Sequence, residues 1–153
     1  MRKVDLFLDS SALFAGIASP TGAARALLAS AEAGLITLTV SEQVIAETER
    51  SLARKAPAAL SAYRQALRSL GLRFVRDPAP EAVLAHRDWM VHSAHVPILV
   101  AAMQARVGYL VTLNRRHFID DPAVAEHSGL RIGTPGDALA WVREQPAAGE
   151  RDD

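Results

Sequence analysis

Cysteine is absent from the 153 residues, which excludes disulfides, zinc–thiolate centres and thiol catalysis and fits a reducing, cytoplasmic setting. Neither sign of charge is in excess: Lys plus Arg and Asp plus Glu both number 17. A nucleic-acid partner must therefore be held by a local basic patch, not by the field of the whole molecule. Long apolar runs are missing too. Residues 96–103 are far too few to span a bilayer, and Asp5 and Asp9 interrupt the apolar stretch behind Arg2 and Lys3 that would otherwise suggest a signal peptide. The chain is expected to be soluble, with no membrane association. Neither common glycine-rich phosphate loop is present, nor a Gly-x-Ser-x-Gly elbow. Dinucleotide, nucleoside-triphosphate and serine-hydrolase readings thus lack support.

What is present begins with a strand that stops on an acid. Val4, Leu6, Phe7 and Leu8 make an apolar run too short for a helix, and Asp9 follows it. Ser10 or Ser11 is placed to cap a helix to about Ile17. Residues 23–33 read as a second helix stopped by Gly34, and 35–40 as a β-branched second strand. Ser41 then caps a helix through about Lys55. Residues 57–70 form a further helix and 72–75 a third strand. Pro80 or Glu81 opens a helix to about His92. Residues 95–107 are apolar nearly all round, which predicts a central buried helix. Strands over 108–112 and 130–132 and a helix over 135–144 complete the pattern. Alternating strands and helices predict an α/β fold, a three-layer α/β/α sandwich with a mainly parallel sheet. One domain over 1–144 is expected, with a loose tail over 145–153 that holds no large apolar residue.

In such sheets ligands bind outside the carboxyl ends of the strands. Asp9 ends the first strand, and Thr112 and Asn114 end the fourth. Glu47 borders the apolar face formed by Val44, Ile45, Thr48 and Leu52, which aims it over the sheet end. His95 begins the buried helix. Asp9, Glu47, His95, Thr112 and Asn114 can therefore meet in one cleft. Arg50 and Arg54 follow Glu47 on the same side of its helix, and Arg115 and Arg116 adjoin Asn114. These four, with Ser10 and Thr112, are the expected substrate contacts, suited to a phosphate backbone.

Three segments carry a family resemblance: residues 6–13, Leu-Phe-Leu-Asp-Ser-Ser-Ala-Leu; residues 41–48, Ser-Glu-Gln-Val-Ile-Ala-Glu-Thr; and residues 95–102 running on to 109–118. In this order they resemble PIN-domain proteins of the group containing VapC-like toxin ribonucleases. The resemblance implies an α/β/α nuclease whose acids gather at the carboxyl edge of a parallel sheet around Mg2+ or Mn2+. Asp9 matches the first acid and Glu47 the second. The third position falls on His95 and the fourth on Asn114, or nearer His117, so two carboxylates stand where four are usual. Asp9, Glu47 and His95 are the implied metal ligands, and these with Asn114 the catalytic set. An imidazole at His95 suits Mn2+ or another transition ion better than Mg2+, and a second ion loses support. The implied reaction is hydrolysis of RNA to 5′-phosphate and 3′-hydroxyl ends, with Glu47 or His95 taking a proton from water. The implied partners are RNA, a small antitoxin protein and a second copy of the chain. A competing reading is a PIN fold that has lost catalysis and serves as an RNA- or protein-binding module.

Overall fold

The computed structural model describes residues 3–146. Its centre is β1 (Asp5–Leu8), whose Leu6, Phe7 and Leu8 are buried because a strand has a neighbour on each side and helices over both faces. β2 (Thr37–Ser41), β3 (Arg73–Val75), β4 (Tyr109–Val111) and β5 (Ile132–Gly133) complete an all-parallel sheet in the order β3-β2-β1-β4-β5. The order turns back at β1. From there the chain builds outward through β2 and β3, then returns to lay β4 on the other side. The crevice between β1 and β4 is therefore the topological switch point, where open α/β sheets bind ligands.

Among the described residues eight α-helices flank the sheet: α1 (Ser10–Ala18), α2 (Ala23–Glu32), α3 (Glu42–Lys55), α4 (Leu60–Ser69), α5 (Pro80–Ala85), α6 (Val96–Ala105), α7 (Pro122–Ser128) and α8 (Pro135–Glu144). They fall into two contacting groups, α1 with α2, α3 and α4 and α2 with α8, against α6 with α5 and α7. This is the α/β/α sandwich the alternation predicts. The close approach of α1 and α2 depends on Gly16, where a Cβ would lie 2.7 Å from Leu28 Cδ1. α6 is the central helix: Val96 and Ile98 through Ala102 are buried.

Several boundaries differ from those expected. Asp9, not Ser10 or Ser11, caps α1, its carboxylate accepting the Ala12 amide. The helix expected to reach His92 ends at Ala85, where His86 leaves the helical backbone (φ −114°, ψ 8°); short 3-10 turns over Arg87–Trp89 and Ser93–His95 carry the chain to α6. α6 stops at Ala105, where Arg106 turns left-handed (φ 56°), a step unusual for a residue with a Cβ. The helix expected over 57–70 opens as a 3-10 turn (Pro57–Ala59) before α4. β5 lies one to two residues later than expected, and α7, capped by Asp121 and closed by Gly129, was not anticipated. α8 occupies the expected residues, opened by a reciprocal Thr134–Asp137 capping box. Of the expected tail, residues 147–153 lie outside the described residues.

Candidate active site

The ladder between β1 and β4 pairs Leu8 with Val111, and the Asp9 amide donates to the Val111 carbonyl at 3.1 Å. One residue further, the Asp9 and Thr112 side chains meet across the switch point. Thr112 Oγ1 donates to Asp9 Oδ2, while Asp9 Oδ1 accepts from Ser11 Oγ at 2.6 Å and from the Ala12 amide at 2.9 Å. Thr112 Oγ1 also accepts the Asn114 amide at 2.9 Å, and Ser11 Oγ accepts the Leu113 amide at 3.0 Å. The turn after β4 is thus stitched to the turn after β1 through one carboxylate. Asp9 is 4% exposed. Burial raises its pKa above the ordinary carboxylate value and the negative charge of Glu47 adds to this, while the bonds from Ser11, Thr112 and Ala12 oppose it. Among the described residues no Lys or Arg contributes to its stabilisation.

Glu47 is half-buried on α3, its Oε1 accepting from Gln43 Nε2 at 2.9 Å one turn earlier. The start of α3 is itself fixed: the Gln43 amide donates to Asp77 Oδ1 and the Asp77 amide to Glu42 Oε1. The charge of Glu47 is felt at both Asp9 and His95, so it overlooks the acid and the imidazole alike.

His95 stands at the junction of the 3-10 turn and α6. Its Nε2 lies 2.9 Å from His117 Nδ1 and 3.4 Å from Asn114 Nδ2, which is itself 3.2 Å from His117 Nδ1. Asn114 caps the π-helical turn Arg115–Ile119, its Oδ1 accepting the His117 amide at 3.2 Å. That turn brings His117 back over His95. The ring of His92 lies on His117, centroids 3.9 Å apart. Desolvation lowers the pKa of His95, with His92 adding and Glu47 opposing. Desolvation also lowers that of His117, followed by the charges of His92, His95 and Arg116. Both shifts favour the neutral imidazole. Sequence reasoning did not single out His92, and gave His117 no role of its own. A signal was available, since three of the five histidines fall within 92–117.

Of the expected substrate contacts, Ser10 and Thr112 border the switch point. Arg50, Arg54, Arg115 and Arg116 are exposed, and among the described residues none of them forms an ion pair. A groove of about 680 Å³ runs from Ser10 and Ser11 past Phe14, Ser51 and Lys55 to Leu113, with Lys55 Nζ 5.9 Å from the Phe14 ring. A larger cavity of about 960 Å³ opens at the amino ends of the strands. Its acid, Asp5, is neutralised by Arg73 at 2.8 Å, so it lacks the uncompensated charge found at Asp9.

A family profile described as PIN domain matches residues 5–116, and the chain belongs to the PIN-domain family. PIN domains are typically nucleases and generally use divalent metal ions. The matched span takes in Asp9, Glu47, His95 and Asn114 and stops before His117. The chain is also similar to a solved structure titled "Crystal structure of PAE2754 from Pyrobaculum aerophilum", at 19% identity and a TM-score of 0.60, covering 93% of this chain and 91% of that one. This likeness bears on the fold alone. No curated protein matches the chain significantly.

Among the described residues no three His, Cys, Asp or Glu side chains are gathered in a way that could hold a metal ion. His95 directs its ring nitrogen at His117 and Asn114. Two carboxylates still fit one hard ion that keeps several waters and takes the rest of its shell from substrate phosphates. A buried carboxylate with no basic neighbour among the described residues is the group such an ion would relieve. Among the described residues no set of four acids is gathered to hold two ions.

No single helix among the described residues is long and apolar enough to cross a membrane.

Proposed function

We propose that this chain is a metal-dependent endoribonuclease that hydrolyses RNA phosphodiester bonds, acting in the cytoplasm as the toxin of a toxin–antitoxin pair. The observation that carries the reading is Asp9: a carboxylate at the switch point, buried, triply hydrogen-bonded and without a cationic partner among the described residues. Burying a charge unpaired is costly, and clefts that do so are candidates for chemistry. Asp9 and Glu47 would hold one Mg2+ or Mn2+, which supplies charge neutralisation at the scissile phosphate and a more acidic bound water.

The chain's own residues do the rest. Thr112 and Ser11 fix the rotamer of Asp9, and Gln43 fixes that of Glu47, so both carboxylates are preorganised. Glu47, or His95 within reach of its charge and biased towards its neutral form, accepts the proton of the attacking water, leaving a 5′-phosphate and a 3′-hydroxyl. Arg115 and Arg116 beside Asn114, with Arg50 and Arg54 along α3, hold the RNA backbone, and the groove past Phe14 and Leu113 receives a base. A small antitoxin and a second copy of the chain are the proposed protein partners.

The deciding assay is cleavage of a single-stranded RNA with Mg2+ or Mn2+, followed for the wild type and Asp9→Asn. Ion-dependent cleavage that falls at least about 100-fold in Asp9→Asn is expected. Cleavage unaffected by the substitution would overturn the assignment. RNA binding without cleavage at any ion concentration would favour the binding-module reading, which the two replaced acids support.

A further inference from the structure

The cavity of about 960 Å³ at the amino ends of the strands lies at the end of the sheet opposite Asp9, and its lining is basic. Lys3, Arg73 and Arg106 line it together with one acid, Asp5. That acid is used up within the fold. Its Oδ1 accepts from Thr39 Oγ1 at 2.7 Å and its Oδ2 from Arg73 Nη1 at 2.8 Å, and Arg73 Nη1 also donates to the Ala105 carbonyl at 3.0 Å. Lys3 and Arg106 are exposed, and among the described residues neither forms an ion pair. The carboxyl ends of α6 and α8 also meet the cavity, through Ala105 and Gln145, and each offsets about half a charge. Three cations against one acid and two helix ends leave about one positive charge, carried by Lys3 and Arg106.

Two further features distinguish this cavity from a solvated basic face. Arg106 closes α6 in the left-handed region (φ 56°, ψ 43°), the single non-glycine residue with a positive φ among the described residues. The chain leaves α2, α4 and α7 through the same region on Gly34, Gly71 and Gly129. A glycine at 106 would make this turn without strain, so what the arginine adds is its side chain, which lines the cavity. The second feature is Trp141. Its indole lines the cavity with Arg131 5.4 Å from the ring and the Tyr109 ring at 5.3 Å, and its edge lies against Gly108, where a Cβ would come within 2.8 Å of Cη2. An indole fixed beside two unpaired cations offers stacking and charge neutralisation to one ligand.

We propose that this cavity binds a nucleoside 5′-monophosphate, its phosphate held by Lys3 and Arg106 and its base stacked on Trp141. The volume falls within the ~300–1,000 Å³ of small-ligand pockets, and a bare inorganic anion would leave the indole unused. The site goes beyond the ribonuclease reading and does not depend on it. It lies at the other end of the strands from Asp9 and Glu47, and its binding is measured without RNA or a divalent ion.

The test is titration of the full-length chain with AMP in EDTA, followed by calorimetry and by the fluorescence of Trp141 in a Trp89→Phe background, since the chain has two tryptophans. One AMP per chain, with a Kd of about 100 µM or tighter, and quenching of Trp141 are expected. Arg106→Gly removes the charge and relieves the left-handed turn, so it should weaken AMP about fivefold or more while the thermal midpoint holds or rises. Lys3→Ala should weaken AMP by a similar factor and Trp141→Leu by about tenfold, while Arg87→Gln leaves it within about twofold. Adenosine and inorganic phosphate, each carrying one part of the ligand, should bind at least about tenfold more weakly than AMP. Arg106→Gly carries the test if Trp141→Leu fails to fold by circular dichroism. No AMP binding up to about 1 mM, unchanged affinity in Arg106→Gly and Lys3→Ala, or inorganic phosphate binding as tightly as AMP would each overturn the proposal. Loss of AMP binding in Arg115→Ala would also overturn it, by assigning the nucleotide to the cleft beside Asn114. Intact AMP binding in a chain that cleaves no RNA would sink only the ribonuclease reading.

Discussion

Replacing Thr112 by valine removes one hydroxyl and disconnects two turns. In the native protein Thr112 Oγ1 donates to the buried Asp9 carboxylate and accepts the Asn114 amide at 2.9 Å. A hydrogen bond to a charged group contributes about 1.5–3 kcal/mol and a neutral one about 0.5–1.5, so Thr112→Val should cost roughly 2–4 kcal/mol at neutral pH. The cost should also depend on pH, with a fixed sign. Burial raises the Asp9 pKa above 3.8, so the folded chain takes up its proton before the unfolded chain does. Ionised Asp9 thus reduces stability above its folded pKa, and that loss is recovered as pH falls through the folded value towards 3.8. The Thr112 bond stabilises the ionised form, so its removal raises the folded pKa further and hurts most where Asp9 is charged. Urea unfolding in EDTA, at pH 8 and again near pH 4, should show a large penalty at the first and about half of it at the second. The other titrating groups cancel in the comparison. Asp9→Asn should raise stability at pH 8 and shrink the cost of Thr112→Val in the double variant. A penalty below about 0.5 kcal/mol, or one equal at both pH values and in both backgrounds, would refute the claim that Thr112 sustains a buried ionised acid.

Two further outcomes follow from the packing. Gly16→Ala puts a Cβ 2.7 and 2.9 Å from Leu28 Cδ1 and Cγ, so overpacking of about 1–3 kcal/mol should outweigh a helix-propensity gain of about 1, with Leu28→Ala restoring part of the loss in urea melts. Tyr63 is buried, its hydroxyl 3.4 Å from the Ile45 carbonyl, and burial with the nearby Glu49 charge pushes its pKa up to about 12. Stability should therefore fall from pH 10.0 to about 12 as the unfolded chain releases the proton first, and this slope should flatten in Tyr63→Phe.

The parts of this fold that were legible in the sequence are those set by short-range chemistry. The apolar block ending at Asp9, the Ser41 cap and the apolar circumference of α6 each point to one local structure, and each is found. What was not legible depends on partners distant in the chain. Whether Ser11 or Asp9 caps α1 is decided by Thr112 and Leu113, a hundred residues away, which turn Asp9 inward and make Ser11 its donor. Position 117, named only as an alternative to Asn114, was left without a role of its own for the same reason. A histidine after two arginines reads as surface until a π-helical turn, capped by Asn114, folds it back onto His95. α7 escaped because its seven residues carry one buried side chain, Val124, too few to generate a period.

The two halves of the cleft follow opposite electrostatic rules, and that division explains how the chain departs from a four-acid site. On the β1 side a carboxylate is held in low dielectric by three hydrogen bonds and by no cation among the described residues, so the site gains from any ion that reaches it. On the β4 side the positions where acids are expected hold His95 and Asn114, and His117 closes over them. Four carboxylates would repel one another strongly without metal, whereas neutral imidazoles and an amide can close up to 2.9 Å and pack beneath Phe118. Glu47 lies between the halves, its charge opposing ionisation of Asp9 and favouring protonation of His95. Glu47→Gln should therefore lower the pKa of Asp9 and lower that of His95 further, two shifts of the same direction on groups of opposite charge type. Only a residue within electrostatic range of both would produce them, and carboxyl and imidazole NMR titrations read each one separately.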